Sequence, residues 1–101
     1  MANIKFNYLY RDGGNYKRYN SIIFNNPDNI ILSELSTLIS SKLIDNTWFY
    51  ANQWNLPDLR PETIYPDTDP TWHEFESINY TNESVTFSCT IAQFIAHSTP
   101  S

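Results

Sequence analysis

The only two glycines of this 101-residue chain stand side by side, in the run Asp12-Gly13-Gly14-Asn15. A backbone with so little freedom elsewhere makes its tightest reversal there. Before the glycines, Ile4, Phe6, Tyr8 and Tyr10 alternate with Lys5, Asn7, Leu9 and Arg11, the period of a strand buried on one face. After them, residues 16–24 read as the returning strand, with Ile22 and Phe24 on one face and Tyr19, Ser21 and Ile23 on the other. A β-hairpin with positive φ at the glycines is predicted.

Asn25-Asn26-Pro27-Asp28-Asn29 ends that strand. Ser33 is then placed to cap a helix whose apolar residues Leu35, Leu38, Ile39 and Leu43 follow the i, i+3, i+4 spacing, with Lys42 near its negative end. Asp45 and Asn46 tolerate a left-handed turn, and Thr47-Trp48-Phe49-Tyr50-Ala51 has the composition of a short third strand. Four prolines interrupt residues 57–70, predicting a long surface connection. Strand character resumes over residues 72–80, and Thr90 with Gln93 has capping-box spacing ahead of a final helix in which Phe94 and Ile95 dock on the sheet. The expected architecture is a single α+β domain over residues 1–101, with an antiparallel sheet opened by a hairpin, a main helix on one face, and the order β-β-α-β-β-α.

The content of the chain narrows its class. Three Trp, seven Tyr and six Phe supply core-forming area that a disordered segment lacks. Eleven Asp and Glu against six Lys and Arg give a net charge of -5, which opposes phosphate backbones and anionic bilayers, so direct nucleic-acid binding is not expected. The single Cys89 forms no internal bridge, and no secretory signal or run of about 18 apolar residues is present; a cytoplasmic protein without a membrane partner is expected.

The run Tyr8-Leu9-Tyr10-Arg11-Asp12-Gly13-Gly14-Asn15-Tyr16-Lys17 is joined by Phe24-Asn25-Asn26-Pro27, Leu43-Ile44-Asp45, Leu56-Pro57-Asp58-Leu59 and Trp72-His73-Glu74-Phe75-Glu76. Together these resemble a family of small, uncharacterised bacterial proteins of roughly this length, over most of the chain up to Glu76. The family type carries Gly after the Leu-Ile-Asp step where this chain has Asn46, which also fits a left-handed turn. The resemblance implies no activity, cofactor or catalytic residue.

Four groupings carry chemistry worth weighing. Tyr10, Arg11, Asn15, Tyr16, Lys17 and Arg18 surround the hairpin tip, a positive end in an acidic protein, and could cradle an anionic nucleotide or an acidic peptide. The plainer reading is a solvated hairpin in which Arg11 pairs with Asp12. Asp67, Asp69, His73, Glu74 and Glu76 are the inventory of a cation site. However, His73 and Glu74 oppose each other on a strand and no second His supplies a ligand spacing, so no metal is expected. Cys89 and His97 are nominally nucleophile and base, yet stand about 12 Å apart along a helix, and a small core residue is the simpler role for Cys89. Trp48, Trp54 and Trp72 either line a ligand slot or build the core.

Over residues 57–83 seven carboxylates face Arg60 alone, a net charge of about -6, while the opening to Asn20 carries about +3. These poles invite pairing within one molecule or between copies, so a homo-oligomer is possible. With no cofactor fingerprint and no nucleophile-base pair, the leading expectation is a non-catalytic protein of inhibitor or immunity type. It would meet a protein partner through Trp54, Asp58, Tyr65, Asp67, Asp69 and Trp72. The alternative is a small-ligand sensor or sponge that holds an anionic nucleotide at the hairpin cluster.

Overall fold

The computed structural model describes residues 2–14, 16–60 and 72–97. β1 (Asn3–Arg11) and β2 (Lys17–Phe24) form the predicted hairpin, paired from Arg11 with Lys17 to Ile4 with Phe24. The main helix is α1 (Leu32–Ser40), followed by the two-residue β3 (Trp48–Phe49) and one 3-10 turn (Ala51–Trp54). β4 (His73–Thr81) and α2 (Ile91–His97) complete the described chain. The sheet is antiparallel, in the order β2-β1-β4-β3, so the first and last strands of the sequence lie together at its centre. The α+β class is as expected. The element order departs from the expected one in the inserted 3-10 turn and the shortened third strand.

The hairpin turns by a different device from the one the glycines announce. Neither Gly13 nor Gly14 takes a positive φ. The carboxylate of Asp12 instead accepts the backbone N–H groups of Gly14 and Tyr16, both at 2.9 Å, and the Asp12 N–H donates to the Tyr16 carbonyl at 3.0 Å. This use of Asp12 leaves Arg11 to pair elsewhere. At the next reversal the left-handed turn is as predicted, with φ of 51° at Asp45 and 58° at Asn46.

One core fills the face of the sheet that both helices cover. Ile4, Phe6 and Tyr8 of β1 meet Ile22 and Phe24 of β2, Leu35 and Ile39 of α1, and Ile91, Phe94 and Ile95 of α2. Phe6 is its hub, with ring centroids 5.2 Å from Phe75 and 5.4 Å from Phe94. The α1 stripe is narrower than its spacing implied: Leu35 and Ile39 are buried, whereas Leu38 is 39% exposed. Ser33 is not the cap either. Ile31 holds that position without a side-chain bond, and Ser33 lies inside the helix, its carbonyl accepting the Thr37 hydroxyl at 3.0 Å. Lys42 lies past the helix end, and its ammonium donates to the Ile95 carbonyl of α2. At α2 the capping box forms as its spacing predicts: Thr90 Oγ1 accepts from Gln93 N–H at 3.2 Å, and Gln93 Oε1 accepts from Thr90 N–H at 2.9 Å.

β4 changes phase halfway along. Asn7 pairs with Ser77 but Tyr8 pairs with Phe75, so Glu76 is an extra residue on β4. A strand alternates its faces strictly, and the extra residue lets Ile78 on one side of it and Phe75 and His73 on the other all join the core face. The opposite face is mixed, with Leu9 and Ile23 buried on either side of a polar centre. There Asn7 donates to Ser77 Oγ at 3.1 Å and Asn79 Oδ1 at 3.0 Å, and accepts from Ser21 Oγ at 2.7 Å. Among the described residues no helix is long and apolar enough to cross a membrane.

Candidate functional site

β3 and the start of β4 together set two tryptophans side by side. Phe49 is inward and pairs with His73, so Trp48 is directed to the opposite face, across from Glu74. Trp72, two residues before Glu74, is the diagonal neighbour of Trp48, and the two indole centroids are 6.0 Å apart with planes at 57°. Ile44 and Tyr50 extend this pair into a cleft of about 290 Å³, and the exposed Asp45 puts a carboxylate at its edge. No described side chain bonds to that carboxylate, and Asp45 is exposed in the left-handed turn.

Trp54, expected as a surface anchor, belongs to the core. It is 2% exposed, stacks on Phe49 at 4.7 Å, and offers nothing to a partner. Trp72 is 38% exposed and remains available. Asp58 is exposed, but a bidentate bond from Arg60 engages it, with Nη2 to Oδ2 at 2.7 Å, and that guanidinium holds its carboxyl below the ordinary carboxylate range. Tyr65, Asp67 and Asp69 lie outside the described residues.

The hairpin cluster does not converge. Tyr10 is 1% exposed, its ring edge-on to His73 at 5.2 Å. Arg11 pairs with Glu74 at 3.1 Å instead of with Asp12, whose carboxylate the turn consumes. Asn15 is outside the described residues. Tyr16, Lys17 and Arg18 are exposed, but Lys17 and Arg18 are neighbours on a strand and direct their charges to opposite faces. Two of the four hairpin cations are answered within the molecule, Arg11 by Glu74 and Lys5 by Glu83 at 2.9 Å.

His73 has a structural role. Its Nε2 accepts the Leu59 N–H at 3.0 Å, and the ring is packed between Tyr8, Tyr10 and Phe49. With Tyr8 Oη donating to the Pro57 carbonyl at 2.7 Å, it pins residues 57–59 to the sheet. Burial pushes the imidazole below its ordinary pKa, against the opposing pull of Asp58 and with the help of Arg60. An acceptor at Nε2 puts the ring proton on Nδ1, which is buried without a described partner. Among the described residues no three His, Cys, Asp or Glu side chains gather as a metal site. Cys89 is half-buried against the core, and burial raises its thiol pKa, opposite to what a nucleophile needs.

What the sequence did not reveal is that Trp48 and Trp72 form one feature with Ile44, Asp45 and Tyr50. The signal was present in the spacing of Trp72 and Glu74, but reading it requires the long-range pairing of β3 with β4. No protein-family model, curated protein or solved structure matches the chain.

Proposed function

We propose that the protein is a non-catalytic binding module of inhibitor or immunity type, and that it captures a basic protein partner through the cleft between Trp48 and Trp72. The observation that carries this reading is the open indole pair beside the unengaged Asp45 carboxylate. A Lys or Arg side chain laid against the exposed indole surface of the cleft gains about 0.5 to 2 kcal/mol from the ring quadrupole, and the carboxylate adds a charge-assisted bond. The cleft lies at the lower limit of small-molecule pockets, about 300 Å³, which suits one inserted side chain. Net charge of -5 steers a basic partner toward the surface. Neither Cys89 nor His73 is set up for bond chemistry, which supports recognition over turnover.

The test is capture from a native lysate at low salt by the wild-type protein and by a Trp48→Ser/Trp72→Ser variant. A basic protein retained by the first, lost from the second and released by added salt is the expected result. Retention of the same proteins by both would end this reading.

A further inference from the structure

The other edge of the sheet carries a second recognition feature. β2 is an edge strand, and the direction of its backbone groups is fixed at both ends. The Ile23 N–H donates to Thr86 Oγ1 at 2.9 Å and the Ile23 carbonyl accepts the Thr86 N–H at 3.0 Å, so Ile23 faces away from β1. At the hairpin end the Tyr16 carbonyl accepts from Asp12 of the opposite arm, so Tyr16 faces inward. Outward and inward groups alternate along an antiparallel strand, which puts the N–H and C=O of Lys17, Tyr19 and Ser21 on the outer side. Thr86 covers the edge only at Ile23, and no described residue bonds to the outward backbone of the other three. About five residues of edge are therefore open, a template for one further strand.

The charge at this edge identifies what fits. Lys17 and Arg18 have no described carboxylate partner, whereas Lys5 and Arg11 do. Exposed Tyr16 and Tyr19, at 78% and 61%, add apolar area with polar tips. Cations on an edge strand discourage pairing with a second copy, since each copy would bring the same two charges. They favour an extended segment with carboxylates. Because a strand's side chains alternate, acidic residues at neighbouring positions would meet Lys17 on one face and Arg18 on the other.

We infer that the open edge of β2, from Lys17 to Ser21, binds an extended acidic peptide segment by adding it to the sheet. This site is separate from the tryptophan cleft, which lies at the β3 edge.

The probe is a short capped peptide of glutamate and valine with acidic residues on both strand faces, and the control replaces each glutamate by lysine. Amide resonances of Lys17, Tyr19 and Ser21 should shift on titration with the acidic peptide, and their hydrogen exchange should slow. Lys17→Glu/Arg18→Glu should weaken the response about tenfold or more, since two ion pairs become repulsive. Tyr19→Pro removes one outward donor and should also weaken it; the charge variant decides if that proline disturbs the hairpin. Three results would overturn the inference: no amide shift at millimolar peptide, an equal response to the lysine control, or a dimer of the free protein that already protects these amides.

Discussion

The side-chain amide of Asn26 closes on both backbone groups of Ile30, donating from Nδ2 to the carbonyl at 3.0 Å and accepting at Oδ1 from the N–H at 3.1 Å. Asn26 is 2% exposed, and it lets the chain leave β2 and pass through the left-handed Asn29 without stranding polar groups in the core. Asn26→Ala removes both partners at once. Urea unfolding should show a loss of about 2 to 3 kcal/mol, and a loss under about 0.5 kcal/mol would mean that water takes over both bonds.

His73 makes stability depend on pH in a defined direction. Its folded pKa lies below 6.5 because of burial, so as pH falls past 6.5 the unfolded chain takes up a proton that the folded chain refuses. Stability is full above that point and declines below it. The lowered Asp58 acts the same way but only below its ordinary 3.8, a separate window. Thermal unfolding at about pH 7.5 and 5.5 should therefore show a lower Tm in acid. His73→Gln keeps an acceptor for the Leu59 N–H and should flatten that difference; an unchanged slope would assign it to other groups.

The three tryptophans should be separable by light. Trp54 is 2% exposed and Trp72 is 38% exposed. With Trp48→Phe/Trp72→Phe, the remaining emission should be blue-shifted and resist acrylamide. With Trp54→Phe, the remaining emission should be readily quenched. Strong quenching of Trp54 alone would contradict its place in the core.

At α2, Thr90 and Gln93 bond reciprocally, so each depends on the other. Thr90→Ala should cost about 1 kcal/mol in chemical unfolding. The double variant Thr90→Ala/Gln93→Ala should cost clearly less in total than the sum of the two single changes, because either change alone already breaks the box. Full additivity would show that the two bonds act independently.

Local signals in the sequence proved legible where one motif fixes one geometry. The alternation of Ile4, Phe6 and Tyr8 predicted β1, the spacing of Thr90 and Gln93 predicted the capping box, and Asp45 with Asn46 marked a left-handed turn. Competition between residues was harder to read. Gly13 and Gly14 offered conformational freedom that the Asp12 carboxylate made unnecessary, and Ser33 had a cap's chemistry two positions past the cap. The site was least legible, because Trp54 and Trp72 differ only in long-range contacts. One packs against Phe6 and Phe94, and the other meets Trp48 through strand pairing.

The surplus residue at Glu76 works as a half-twist in a ribbon. It decides which side of the sheet His73 and Glu74 occupy, and with them the Arg11 bond and the tryptophan cleft. Swapping Glu76 for another side chain leaves that twist in place. Drawing it into a regular ladder, with no bulge, would turn the leading half of β4 inside out, setting a carboxylate beneath Tyr10 and an imidazole among the indoles, whereas deleting it would leave Phe75 across from Tyr8 as it is now. The tryptophan cleft thus depends on where the ladder slips, at an exposed residue that does not itself line the cleft.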